Sequence, residues 1–178
     1  MVRWPVPRLD YLLASDDALI AQSEVDRYRA SGPGGQHRNK TESAVRLRHK
    51  LSGVTAIGED SRSQAENKIH AVRRLRSAIA LDVREPVELE GYAPSRRLAA
   101  LIAGGTAPLG AKTRLTPDYW AAIAELLDLL VAGGLEIAAT AQRLGITTGA
   151  LSKLLLHDDQ VARVVNDLRR GRQMRPLR

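Results

Sequence analysis

The sequence predicts an α+β fold: a small, mostly antiparallel sheet with a long helix packed on it and a projecting glycine-rich loop, followed by a C-terminal all-α, helix-turn-helix-like segment. Three observations carry this. Two stretches of alternating polarity bracket the run Ser31-Gly32-Pro33-Gly34-Gly35. Residues 61–83 repeat apolar side chains at helical spacing, and the chain after residue 116 reads as helix caps and apolar stripes.

Ser15 followed by "DDALIAQ" has the form of an N-cap with acids in the first turn, so a short helix opens there. "EVDRYRA" (24–30) alternates as a strand, the loop 31–39 interrupts it, and "ESAVRLRHK" (42–50) resumes. Alternation places Ala44, Arg46, Arg48 and Lys50 on one wet, basic face and Val45 and Leu47 on the other. "LSG" turns the chain into "VTAIGE", the hairpin partner. In 61–83, Ile69, Val72, Leu75 and Ile79 form the apolar stripe of a long helix packed across the sheet, with Lys68, Arg73, Arg74 and Arg76 elsewhere on its circumference. "SRRLAALIA" (95–103) reads as a further helix, and the glycines, proline and small residues of "GGTAPLGAKTRL" as a linker. Thr116-Pro117 has the pattern of an N-cap with proline at the first helical position, and Trp120, Ile123, Leu127, Leu130 and Val131 follow as one stripe, closed by Gly133-Gly134. "EIAATAQRLGITTGALSKLLL" (136–156) then gives helix, break at Gly145 and second helix, with Ala150, Leu151, Leu154 and Leu155 facing inward. The expected division is 1–110 and 111–178, with the break near 104–115.

The 178 residues suit one ordinary domain or a small domain with an appendage, and 44% apolar composition supports a real core. No apolar run approaches the roughly 20 residues of a membrane span, and "MVRWPVPRLDYLL" lacks the apolar centre of a secretory signal, so a cytoplasmic address and no membrane partner are expected. Without cysteine there is no thiol nucleophile or cysteine zinc site, and the four histidines show no ligand spacing, so neither metal nor cofactor is expected. Twenty-seven Lys and Arg against 20 Asp and Glu give a net charge of +7, which points to a polyanionic partner. The positive charge is concentrated: Arg27, Arg29, Arg38, Lys40, Arg46, Arg48 and Lys50 stand against Glu42 alone, and the last ten residues hold five arginines and no acid. With no Phe and six Trp or Tyr residues, aromatic stacking on bases gives way to phosphate and shape recognition.

Consecutive glycines persist where a backbone needs positive φ or must approach something closely. An ordinary tight turn would account for "SGPGG" but gives no reason for Gln36-His37-Arg38-Asn39-Lys40 to follow without one apolar anchor. A nucleotide-phosphate loop fails on Asn39, which stands where G-x-x-x-x-G-K-[ST] requires glycine, and on the half-polar strand before it.

"SGPGGQHRNKTESAVRLRH", followed at a fixed distance by "SRSQAENK" and the helical "AVRRLR", resembles the catalytic domain of class I peptide chain release factors and of their codon-independent relatives that rescue stalled ribosomes. The resemblance covers roughly residues 22–82, close to a third of the chain. It implies hydrolysis of the peptidyl-tRNA ester, with large-subunit ribosomal RNA at the peptidyl transferase centre and the P-site peptidyl-tRNA as partners. Gly34, Gly35 and Gln36 would be catalytic: the glycines keep the tip slim, the Gln36 backbone N–H supports developing oxyanion charge, and its side-chain amide shapes the water site. One such donor is worth about 3–4 kcal/mol in the transition state. Gln36 has no useful pKa, so it cannot serve as a general base. His37, Arg38, Asn39 and Lys40 read as the neck contacting RNA, with Arg46, Arg48 and Arg62 as further RNA contacts. The family commonly has an apolar residue at the place of Arg38, which leaves the neck's orientation open. Arg62, Ser63, Gln64 and Asn67 match the second motif, where they would cap the long helix as readily as touch RNA. A methyltransferase acting on Gln36 is a further implied partner.

Decoding release factors carry a stop-codon reader, and only some twenty residues precede the loop region here, so codon-independent action is expected. The tail "LRRGRQMRPLR" (168–178) is the candidate for a small-subunit messenger-channel contact, through Arg169, Arg170, Arg172, Arg175 and Arg178. A solvated terminus explains it equally well. The 136–156 segment also fits a DNA-binding helix-turn-helix, with Thr147 opening the second helix and Ser152 and Lys153 outside. That helix holds one basic residue and no Asn, Gln or Arg for bidentate base contacts, which favours docking on protein or ribosomal RNA. The alternative function is a non-catalytic nucleic-acid-binding or regulatory protein; a structural factor occupying the same ribosomal pocket is a third.

Overall fold

A computed structural model describes residues 7–29, 42–104 and 116–178. They fall into two compact units, Met1–Val83 and Arg84–Arg178. The α+β class holds: a three-stranded antiparallel sheet accompanied by several helices.

The first unit starts with α1 (Arg8–Leu13) and α2 (Asp16–Ala21), the latter capped by the Ser15 hydroxyl accepting from Ala18 N–H at 3.2 Å. β1 (Ser23–Tyr28), β2 (Ala44–His49) and β3 (Thr55–Gly58) pair in chain order, all antiparallel. Ser23 faces His49 and Tyr28 faces Ala44 across the first ladder, and Val45 faces Gly58 across the second. α3 (Gln64–Asp82) packs on β2 and β3. Leu47, Val72, Leu75 and Ile79 are fully buried, with Tyr11, Leu12 and Leu19 from the short helices. Each such side chain contributes about 1.5–3 kcal/mol of burial.

Three expectations about faces are corrected in this unit. Ile69 is 45% exposed and Ala71 takes the inner position, because a residue at the edge of a stripe rotates out once the helix turns its opposite flank to the sheet. Ala44 is buried although alternation puts it with the arginines. Arg76 is 2% exposed: its guanidinium donates to the Leu12 carbonyl and, at 2.8 Å, to the Asp16 carboxylate. It thereby satisfies orphan carbonyls at the end of α1.

β3 and α3 meet through bare backbone. A Cβ built on Gly58 would stand 2.0 Å from the Asn67 carbonyl oxygen, so no side chain fits there.

The second unit contains α4 (Arg96–Gly104), α5 (Pro117–Ala132), α6 (Ile137–Arg143), α7 (Thr148–Leu156) and α8 (Asp159–Gly171). Thr116 caps α5 through its hydroxyl, which accepts from Tyr119 N–H at 3.3 Å, and Pro117 takes the first helical position. α5 is buried on nearly every side, from Trp120 through Ile123 and Leu126 to Leu130, which makes it the central helix of the unit. Its end is a Schellman closure: Gly134 at φ 72°, with Leu135 N–H donating to Leu130 O at 2.8 Å. Gly145 ends α6 in the same manner, at φ 68° with Ile146 N–H on Ala141 O at 3.0 Å. The expected helix, break and helix are therefore present. Ala150, expected inside, is exposed, while Leu151, Leu154 and Leu155 are buried. Its position on the first turn of a short helix lifts it away from the core that the leucines reach.

The helix at 96–104 packs on α5 inside the second unit, and the units part at Val83, whereas the linker expected at 104–115 lies mostly outside the described residues.

Candidate functional site

Gly34, Gly35, Gln36, His37, Arg38, Asn39 and Lys40 lie outside the described residues, which bound their segment at Arg29 and Glu42. What the structure describes is the frame on which that segment begins and ends.

At the entry, the last ladder pair is Tyr28 with Ala44. The Tyr28 hydroxyl donates to the Glu59 carboxylate at 3.3 Å, and the Arg46 guanidinium sits 5.9 Å from the Tyr28 ring centroid. Partial burial, then the Glu59 charge, raise the Tyr28 pKa above its usual value. Just beyond, Arg29 and Glu42 form an ion pair at 3.8 Å across the two ends.

At the exit, the second sequence motif grips the backbone. The Gln64 side-chain amide donates to Glu42 O at 2.9 Å. Asn67, fully buried, donates to Ser43 O and Ser61 O, both at 2.8 Å, and accepts from Ser61 N–H at 2.9 Å. Both amide hydrogens and the amide oxygen are thus engaged. Ser63 caps α3 by accepting from Glu66 N–H at 3.3 Å, and the Ser61 hydroxyl bonds Glu66. Of the two roles left open for this motif, Ser63 caps, Gln64 and Asn67 hold the strand that leaves the loop, and Arg62 stands exposed without an ion-pair partner among the described residues. The Ser-x-x-Glu spacing of Ser63 and Glu66 is a capping pattern that could have marked this cap in the sequence. No pattern in the sequence announces the reach of Asn67 back to Ser43, 24 positions earlier.

The outer sheet face carries the expected arginines, each opposite an acid. Arg46 pairs with Asp26, and Arg48 lies 3.9 Å from Glu24, matching the register Asp26 to Arg46 and Glu24 to Arg48. With Thr55 these four line a shallow depression. Exposed pairs of this kind contribute little to stability, but they lower the positive charge available to a phosphate. At the far edge, Arg74 donates to Ile57 O at 2.7 Å and to Asp60 at 2.9 Å, and this hydrogen bond, with a second from His70, holds the Asp60 carboxyl below its usual pKa. His49 is buried against Tyr11, with Ser52 N–H donating to its Nδ1 at 3.2 Å, and burial lowers its pKa.

In the second unit the C-terminal arginines do not share one environment. Arg169 donates to Leu135 O at 2.5 Å and to Arg175 O at 2.8 Å, and Arg170 pairs with Asp167 at 2.8 Å. Arg172, Arg175 and Arg178 are exposed and meet no carboxylate among the described residues. The chain reverses through Gln173 at φ 58°, and Leu177 N–H donates to Asn166 at 2.7 Å, so residues 172–178 lie back against α8. The outer face of α7 shows Thr148, Gly149, Ala150 and Lys153, beside a groove floored by Leu101, Ile146 and Leu154. Among the described residues no group of three or more His, Asp or Glu is placed to hold a metal, and no helix is long and apolar enough to cross a membrane.

Residues 19–99 match the family model described as the RF-1 domain. Over 59 residues, 33% of this chain and 16% of the relative, the sequence is 51% identical to "Peptide chain release factor 2" of Acidithiobacillus ferrooxidans. It is 48% identical over 73 residues, 41% of this chain and 20% of the relative, to "Peptide chain release factor 1" of Rickettsia africae, and 47% over the same length to that of Rickettsia rickettsii. The matched part of the chain spans about a fifth or less of the length of these relatives.

Proposed function

We propose that this chain, whose residues 19–99 match the RF-1 domain, hydrolyses the ester joining a nascent peptide to tRNA on the ribosome, without reading a stop codon. The observation that carries the reading is the intact Gly34-Gly35-Gln36, followed by His37-Arg38-Asn39-Lys40, inside residues 19–99 that match the RF-1 domain, in a chain 48–51% identical to release factors over 59–73 residues. In the reaction, water attacks the ester carbonyl, the bond to the tRNA 3′ oxygen breaks, and the peptide leaves as its carboxylic acid with a hydroxyl restored on tRNA. The Gln36 backbone N–H supports the negative charge that develops on the carbonyl oxygen, while its side-chain amide orders the attacking water. Glutamine neither takes nor gives a proton near neutrality, so proton transfer falls to the RNA and the tRNA.

His37, Arg38, Asn39, Lys40, Arg62, Arg46 and Arg48 face large-subunit RNA in this reading, with Arg46 and Arg48 weakened by Asp26 and Glu24. Arg172, Arg175 and Arg178 are the strongest candidates for a small-subunit messenger-channel contact, since Arg169 and Arg170 already have partners within the unit. A methyltransferase remains the proposed modifier of Gln36.

The test is peptide release from purified ribosomes carrying peptidyl-tRNA on a message truncated in the P site. Wild type releases peptide, and Gly35→Ala and Gln36→Ala fall at least about 100-fold, the scale of a lost oxyanion donor. Equal release by wild type and Gln36→Ala defeats the catalytic reading. Release confined to ribosomes programmed with a stop codon defeats the codon-independent part.

A further inference from the structure

The side chains of residues 59–67 hold both ends of the segment that carries the tripeptide. Tyr28, the last residue of β1, donates to Glu59 at 3.3 Å. Glu42 and Ser43, the first described residues after the segment, give their carbonyls to Gln64 at 2.9 Å and Asn67 at 2.8 Å. Neither bond belongs to the sheet ladder, which starts at Ala44, or to the helix, which needs no side chain from its own first turn to reach a strand. Asn67 is bound to Ser61 by two further hydrogen bonds, and its own carbonyl lies against Gly58 with no room for a methyl group. The grip on Ser43 is therefore referred to a rigid point where α3 and β3 touch. Gln64 is only partly buried and its bond to Glu42 is exposed, so its loss would leave the core intact.

We infer that Gln64 and Asn67 are positioning residues for peptide release: they fix the backbone at Glu42 and Ser43, the first described residues after the segment that carries Gly34-Gly35-Gln36, and act on the reaction through that segment rather than by touching RNA. This rests on the release reading. A side chain that contacted RNA would show its effect in affinity. A side chain that aims another group shows it in the chemical step, because reacting atoms displaced by about 1 Å lose roughly 100-fold in rate.

The measurement is single-turnover release against ribosome concentration, at a temperature well below the melting of every variant. Gln64→Met removes the donor without changing length or charge, and Gln64→Glu sets a carboxylate against the Glu42 carbonyl. Both should lower the saturated rate constant about tenfold or more while the half-saturating ribosome concentration stays within about twofold. Asn67→Asp, which loses two donors, should lower it further and also lower the melting temperature. Wild-type release by Gln64→Met, beside a Gln36→Ala variant that has lost activity, overturns the inference and leaves the release reading standing. A change confined to half-saturation also overturns it and makes Gln64 an RNA contact. Should Gln36→Ala release as fast as wild type, the release reading falls and this one falls with it.

Discussion

The two units use their charged side chains in opposite ways. In the first, cations turn inward or face acids: Arg8 donates to Val83 O at 2.6 Å, Arg76 holds the carbonyl end of α1, and Arg46 and Arg48 lie opposite Asp26 and Glu24. In the second, the anions do the internal work. Glu125 accepts from the Tyr92 hydroxyl and Ser95 N–H, both at 2.8 Å, raising the Tyr92 pKa further than burial alone, and Asp128 holds Arg84 at 3.0 Å and Glu85 N–H at 3.2 Å. With carboxylates occupied inside, Arg172, Arg175 and Arg178 are left facing solvent. A formal charge of +7 thus overstates what the sheet offers a polyanion and understates what the C-terminal helix offers.

The comparison breaks most visibly at the buried cation. Arg76→Ala leaves carbonyls of α1 without a donor and Asp16 without its partner, and should cost about 3–4 kcal/mol in urea unfolding, with Arg76→Lys recovering part of it. The mirror experiment is Asp128→Ala, which removes the buried carboxylate shared by Glu85 N–H and the Arg84 guanidinium, for an expected loss of about 2–3 kcal/mol. If both substitutions are neutral, internal charge does not organise either unit.

The outward difference can be sharpened by salt. Replacing Arg172, Arg175 and Arg178 by Gln should reduce the salt slope for single-stranded RNA by about 2, whereas Arg46→Gln with Arg48→Gln should reduce it by less than about 1. Deleting 168–178 is the poorer experiment, since it removes the last turn of α8 and the Arg169 bond to Leu135. The smallest effect belongs to His49. Burial depresses its folded pKa, so its contribution is complete above the unfolded value of about 6.5 and is lost as pH falls below that value toward the folded one. Stability measured from pH 7 to 5 should therefore decline in wild type and decline less in His49→Gln.

How much was legible follows the same division between local and distant signals. Ser15, Ser63 and Thr116 were readable as caps because a cap is a neighbour relation within four residues. The strands were readable because Arg46 and Arg48 alternate with Val45 and Leu47. Ile69, Ala44 and Ala150 went to the wrong face because periodicity gives a stripe but not the rotation of the helix or the edge of the sheet. Arg76 was unreadable in principle: its burial depends on carbonyls more than 60 positions away. The glycine-rich stretch and the basic residues after it are legible in composition and spacing, yet Glu59, Gln64 and Asn67, which hold Tyr28, Glu42 and Ser43 on either side, act through contacts that only folding brings together.

Gly58 carries a consequence beyond its own turn of strand. Side chains absorb small displacements by changing rotamer, but peptide groups pressed together have no such tolerance. With Asn67 O where a methyl would be, any slide of α3 along its axis presses on β3 at Gly58, whose ladder partner is Val45, two residues after the Ser43 carbonyl that Asn67 holds. The glycine works as a machinist's gauge block, setting the clearance between helix and sheet to within a fraction of an ångström.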